Sequence, residues 1–115
     1  MTEDDVYPLL QSLAGGQVYP YVVPLDKQGQ PVPLPPWVVF SLLDQPEGDV
    51  FCGQAEERTS LQVDVYAKTM AEARRVREEV RSALEPLSPG NVLKQQLKDA
   101  DTGLMRAMLE VQIID

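Results

Sequence analysis

The stretch from Ser60 to Leu87 reads SLQVDVYAKTMAEARRVREEVRSALEPL and changes its hydrophobic period once, near Thr69. Before that point, polar or amphipathic residues alternate with an apolar set formed by Leu61, Val63, Val65 and Ala67. A period of two is typical of a strand with one face on a core and the other face in water. The sequence therefore predicts a half-buried strand that ends near Ala67.

An amphipathic helix is predicted directly after this strand. Thr69 and Glu72 have the spacing of a capping box, in which the hydroxyl and the carboxylate each accept from the other residue's backbone N–H. Apolar residues then recur at spacings of three and four on one stripe: Met70, Ala73, Val76, Val80, Ala83, Leu84 and Leu87. Pro86 and the turn Ser88-Pro89-Gly90 are expected to end the helix.

A second helix is predicted near the start of the chain, from about Glu3 to Ala14. Thr2 is its expected cap, and Gly15-Gly16 is its expected end. Acids in the first turn suit the helix macrodipole. The core stripe would consist of Val6, Leu9, Leu10 and Leu13.

Proline dominates residues 20–36, which hold six of the ten prolines. Each proline lacks a backbone donor, so this segment is predicted to be a loop or an edge ribbon rather than a central strand. Asp26-Lys27-Gln28-Gly29 has the composition of a turn. We call residues 20–36 the proline arm.

The remaining strands complete the predicted fold. Val18-Tyr19 is a short strand at most, whereas the apolar run from Trp37 to Leu43 predicts a central strand covered on both sides. Two last strands, Asn91 to Asp99 and Leu104 to Asp115, flank a turn. The result is an α+β fold, a two-layer sandwich with two helices packed on one mostly antiparallel sheet of four to five strands. The length of 115 residues predicts a single domain, 1–115.

Composition restricts the chemistry and the compartment. Histidine, the commonest general base and metal ligand, is absent from the sequence. The lone Cys52 cannot form an internal disulfide. No apolar run reaches the roughly 18 residues that span a bilayer, and the chain opens on acids rather than on a basic signal segment. We therefore expect no membrane association and synthesis in the cytoplasm.

Charge is distributed unevenly along the chain. The net charge is −8, and residues 1–57 hold nine acids against the single base Lys27, whereas residues 58–115 hold nine of each. Binding to DNA draws most of its affinity from Lys and Arg at phosphates. The balance predicts no specific nucleic-acid binding.

Catalytic and metal sites have one dense candidate, the acids Asp44, Glu47 and Asp49 near Cys52. Their spacing lacks the pattern of a calcium loop, and no histidine is present to activate the thiol. A solvated loop is the favoured interpretation. We expect no catalytic residue, no metal and no cofactor.

Four residues are candidates for contacts with partners. Three arginines of the helix have an acid four residues later and are predicted to form surface pairs: Arg74 with Glu78, Arg75 with Glu79, and Arg81 with Glu85. Arg77 lacks such an acid, so it is predicted to contact another molecule. Tyr19 and Tyr21 beside the proline arm, with Lys27 inside it, complete the set, because aromatic residues near a Pro-rich segment suit protein contacts.

These features occur in a recognisable order. A helix ending in Leu-Ala-Gly-Gly is followed by Val-Tyr-Pro, by the strand P-W-V-V-F, by L-Q-V-D-V-Y-A-K-T-x-x-E-A with V-R-x-x-V-R-x-A-L, and by D-x-G-L-x-R. The order resembles the tail completion, or tail-to-head joining, proteins of long-tailed bacteriophages, which are related to tail-terminator proteins. The likeness covers nearly the whole chain, although residues 25–35 look longer than usual.

The resemblance implies a structural, non-enzymatic subunit of a phage or prophage. It implies a ring of copies, typically six, at the end of the tail tube, with the tail tube and head-connector proteins as partners. It also implies assembly in the bacterial host cytoplasm and residence in the virion tail. No catalytic residue is carried over.

An alternative of another class stays open on the residues alone. It is a small acidic α+β binding or regulatory domain with a protein or small-ligand partner. A buried apolar pocket with convergent polar groups would favour it. An enzyme is the third and weakest interpretation.

Overall fold

The structure, a computed structural model, describes residues 1–43 and 58–114. Its α-helices and strands in the described ranges are, in chain order, α1 Glu3–Leu10, β1 Val18–Pro20, β2 Trp37–Leu43, β3 Arg58–Ala67, α2 Met70–Ala83, β4 Gly90–Lys98 and β5 Met105–Ile114. Short 3-10 turns occupy Leu13–Gly16 and Glu85–Leu87. The loop predicted at residues 44–53, with its acids and Cys52, lies outside the described residues.

The five strands form one sheet in the order β1-β2-β3-β5-β4. β1 pairs with β2 in parallel, and the other neighbours are antiparallel. In the centre of the sheet Val63 of β3 stands between Phe40 of β2 and Leu109 of β5. The predicted α+β architecture, two helices on a mostly antiparallel sheet, is confirmed.

The strand and helix predicted from residues 60–87 are both present. The Thr69 hydroxyl accepts from the N–H of Glu72 at 3.2 Å, which satisfies a donor at the start of α2. α2 packs on β3 and β5. Its stripe places Val76, Val80 and Leu84 in the core, where each stabilises the fold by roughly 1.5 to 3 kcal/mol.

The first helix is shorter than predicted, since α1 ends at Leu10 rather than near Ala14. Pro8 lies inside it and cannot donate to the carbonyl of Asp4, so the helix lacks one hydrogen bond near its start. Ala14 then adopts a left-handed conformation with φ of 50°. Val6 and Leu10 are buried as predicted, whereas Leu13 packs on the core from the following turn.

Candidate assembly surfaces

The proline arm is a folded hairpin that is fastened at its base and at its tip. Near the base, the Gln17 side chain donates to the carbonyls of Leu34 and Pro36 at 2.7 and 2.8 Å. At the tip, the Asp26 carboxylate accepts from the N–H groups of Gln28 and Gln30, both at 2.9 Å. The predicted turn is thus confirmed. Prolines prevent a regular ladder, so side-chain acceptors and donors shape the segment instead.

The arm lies over the sheet face opposite the helices. A half-open cleft of about 380 Å³ separates them, and its lining includes Val22 and Leu25 of the arm and Val39, Asp64 and Tyr66 of the sheet. Trp37 and Val39 are buried on this face, which accounts for the continuous apolar run in β2. The predicted cover on both sides of that strand is confirmed for its first residues.

A row of stacked side chains crosses the floor of the cleft. The rings of Trp37 and Tyr66 stack with centroids 5.4 Å apart, and the Arg106 guanidinium carbon lies 5.7 Å from the Tyr66 centroid. The three residues are direct neighbours across β2, β3 and β5. The row makes this part of the sheet a rigid support for the arm.

An ion pair accompanies this row. Arg106 Nε donates to Oδ1 of the buried Asp64 at 2.9 Å, and Nη2 lies 2.9 Å from the same oxygen as an ion pair. Burial lowers the pKa of Arg106, but the charge and hydrogen bond of Asp64 outweigh it and raise that pKa overall. Burial raises the pKa of the Tyr66 hydroxyl above its usual value of 10.0. Arg106 and Tyr66 therefore keep their protons at neutral pH. The ion pair between Arg106 and Asp64 helps to hold β3 to β5.

Exposed apolar side chains gather in the arm. Leu34 is 79% exposed, and the other large exposed residues of the segment are Tyr21, Val22, Leu25 and Val32. Clusters of this kind, bordered by polar residues, mark sites of contact with other proteins. The sequence analysis did not predict these aliphatic residues as contacts, because the prolines predict only the backbone conformation of the segment. Their placement between prolines in a polar segment was the available signal.

Three of the predicted interface residues lie in or beside the arm. Tyr21 is 53% exposed, adopts φ of 65°, and its hydroxyl lies 3.4 Å from a Glu3 carboxylate oxygen. Tyr19 is half-buried in β1, and Lys27 is exposed at the arm turn. The structure brings Tyr21 and Lys27 to the same exposed hairpin.

The prediction for Arg77 needs correction. Its side chain is only 6% exposed, and Nη1 donates to the carbonyls of Gln95 and Met108 and to Oε1 of Gln96, at 3.0, 3.4 and 3.1 Å. Arg77 ties α2 to β4 and β5 within the chain. An acid four residues later was not needed, because backbone carbonyls distant in sequence serve as acceptors. Burial lowers its pKa.

The other helix arginines divide between confirmed and wrong predictions. Arg75 pairs with Glu79 at 3.5 Å as predicted. Glu78 pairs with Lys94 of β4 at 2.9 Å instead of with Arg74, and its pKa is lowered by the hydrogen bond and then by the charge of Lys94. Within the described ranges, Arg81 and Glu85 form no ion pair either. The edge strand β4 thus supplies a partner that helix spacing alone did not reveal.

Two further features concern metals and membranes. Within residues 1–43 and 58–114, no group of three or more potential ligand side chains is arranged to hold a metal ion. None of the helices in those ranges is long and apolar enough to cross a bilayer.

Comparison with known proteins decides the family. The profile described as "Tail completion protein gp17" matches residues 7–114, nearly the whole chain. The chain belongs to the tail completion protein family. No curated protein sequence matches it.

Family membership confirms the resemblance drawn from the residue order and assigns the chain to the proteins that complete bacteriophage tails. The matched range includes α1 from Tyr7, the arm and every strand. A tail completion protein is a structural component of the virion tail. The chain is therefore a subunit that functions by contact with other tail and head components.

Proposed function

We propose that this tail completion protein forms a ring of identical subunits that closes the end of the tail tube and joins it to the head. A ring of six is the expected order. Assembly takes place in the cytoplasm of the bacterial host, and the subunit contributes contacts rather than catalysis. The carrying observation is the family match over residues 7–114, supported by the apolar side chains that the arm exposes.

The proline arm is the proposed contact with the tail tube or with a head-connector protein. Its hairpin is held in shape before binding by Gln17 and Asp26, so little conformational freedom is lost on contact. Leu34 and Val32 supply apolar area that is exposed in the isolated chain. Tyr21 and Lys27 keep their place as proposed contact residues beside them.

The net charge of −8 suits a ring through which DNA passes. The excess of acids repels the phosphates, so DNA would move past the subunits without stable binding. We accordingly propose no specific nucleic-acid binding.

Tail tubes purified from phage that lack this protein provide the test. Wild-type protein should co-sediment with the tubes, and Leu34→Glu should reduce the bound fraction at least tenfold, because a charge replaces an apolar contact at the arm. Ala71→Glu introduces the same charge at another exposed position, on α2, and is the control that should bind normally. Absence of wild-type protein from the tube pellet would contradict the proposal.

A further inference from the structure

Strand β4 is an exposed surface at the end of the sheet opposite β1. Among the described strands it pairs only with β5, and every one of its residues except Val92 is exposed. Leu93 is 58% and Leu97 42% exposed. An edge strand offers free N–H and C=O groups to another chain, and proteins usually cover such an edge or protect it with charge.

Basic side chains line the helix side of this edge. Lys94 contacts Glu78 of α2, and Lys98 lies on the same face of β4 by strand alternation. Arg74 and Arg81 lie about one helical turn before and after Arg77, which itself reaches β4. We call Arg74, Arg81, Lys94 and Lys98 the basic edge.

The opposite end of the sheet is acidic. α1 contacts β1, and the Tyr7 ring lies 6.4 Å from the ring of Phe40 in β2. The first turn of α1 carries Glu3, Asp4 and Asp5, and residues 1–26 contain no Lys or Arg. We call these three carboxylates the acidic end.

The two charged surfaces are too far apart to neutralise each other within one chain. Strands are spaced by about 4.8 Å, so the outer strands of this sheet lie roughly 19 Å from each other. The Debye length is about 8 Å at physiological ionic strength. Lys94 already pairs with Glu78 in the same chain. The other three cations of the basic edge and the acidic end are available for charges of opposite sign on a neighbouring molecule.

Contacts between like surfaces are disfavoured. Two β4 strands paired antiparallel would place Lys94 and Lys98 near the lysines of the other copy, and like charges across strands destabilise a sheet. Two acidic ends repel in the same way. A contact between unlike surfaces brings opposite charges together, and such a heterologous contact generates a ring when its rotation closes.

We propose that neighbouring copies of this chain join head to tail, with the acidic end of one copy seated against the basic edge of the next. Leu93 and Leu97 alternate with the lysines of the basic edge along β4 and face its other side, so they border the contact. The inference rests on the ring proposed above and names the two surfaces that close it.

Charge exchange between two variants tests the pairing. Glu3→Lys/Asp4→Lys makes both contact surfaces basic. Arg74→Glu/Arg81→Glu/Lys98→Glu makes both acidic, because the one base it leaves on the edge, Lys94, is paired with Glu78. Each variant alone should lose ring formation on tail tubes, with at least a tenfold weaker self-association. Mixed in equal amounts they should assemble again, because each basic surface then meets an acidic one, and the rings should contain both variants in equal numbers.

The control carries the same exchange outside both surfaces, as Asp101→Lys/Lys68→Glu, and should assemble like the wild type. Rings formed by either variant alone as readily as by the wild type would overturn the head-to-tail pairing, as would a mixture that fails to assemble while wild-type rings form. Failure of the wild-type protein to form rings on tail tubes is a separate result, which would overturn the ring itself.

Discussion

Arg77 shows how one buried cation holds two layers of this fold together. Its stem leaves α2 among core residues, and its guanidinium ends on acceptors from β4 and β5. A charged donor of this kind is costly to bury but also costly to remove, because the carbonyls that face it then lose their partner. The side chain stabilises the attachment of the exposed strand β4.

Arg77→Ala should lower the free energy of unfolding by about 2 to 3 kcal/mol, since hydrogen bonds from a charged group are lost in a buried place. Arg74→Ala removes an exposed arginine from the same helix and should change it by less than about 0.5 kcal/mol. Urea denaturation of both variants measures the difference. Equal effects of the two changes would show that Arg77 is not a structural link.

Tyr66 predicts how stability changes in alkali. Burial raises its pKa in the folded chain above the ordinary 10.0, so its protonated form stabilises the fold below that pH. This contribution is lost as the pH rises through the folded pKa. The free energy of unfolding should therefore fall as the pH rises above about 10, because the unfolded tyrosine then loses its proton more readily than the folded one.

Tyr66→Phe should make that fall shallower, because the titrating hydroxyl is gone while the stack on Trp37 remains. Tyr21→Phe, at an exposed position, is the matched control and should keep the wild-type slope. Urea titrations at a series of pH values measure both. An unchanged slope in Tyr66→Phe would contradict the assignment.

At the scale of elements, the unit β3–α2 organises the sheet. β3 is paired on both sides, with β2 and with β5. α2 packs on β3 and β5. The hydrophobic period changes from that of a strand to that of a helix at Thr69, which is where the chain leaves β3 and begins α2. One half of the predicted capping box is present, in which the Thr69 hydroxyl accepts from the N–H of Glu72. The Glu72 carboxylate instead lies 3.8 Å from the Arg75 guanidinium.

Thr69→Ala should destabilise the protein by about 1 kcal/mol, because the N–H of Glu72 loses its acceptor at the start of α2. Ser82→Ala changes a hydroxyl residue on the exposed face of the same helix and serves as the control. Thermal unfolding compares the two. A loss in Thr69→Ala no larger than in Ser82→Ala would show that the cap contributes nothing.

The sequence predicted those helices, strands and turns that are determined by residues close together along the chain. The alternation in β3, the helical stripe of α2 and the turn before β5 follow from residues close in sequence, and all are present. Contacts between distant residues were not predictable in the same way. The position of β5 between β3 and β4, and the acceptors of Arg77, depend on strands that meet only in the folded chain.

The candidate surfaces were predicted in part for the same reason. Tyr21 and Lys27 were found because a proline-rich segment is visible in the sequence. Leu93 and Leu97 were not, because β4 reads as an ordinary strand until its place at the sheet edge is known. Whether an apolar residue is exposed depends on which elements cover it in the tertiary structure. The pattern of residues in β4 alone does not show this.

At the scale of the whole molecule, the chain separates its functions in space. The arm projects apolar residues from one region, while acids and bases occupy opposite ends of the sheet. In the ring proposed above, a subunit would meet a tube, a head component and two neighbours, and it would need several distinct surfaces of this kind. Heterologous contacts between them suit closed rings.

Electron cryo-microscopy of tail tubes incubated with the purified wild-type protein tests the central claim most directly. We predict a closed ring of this chain at one end of each tube, with density for repeated copies around the tube axis. Tubes whose ends stay bare, with the protein still monomeric in the surrounding solution, would contradict the account.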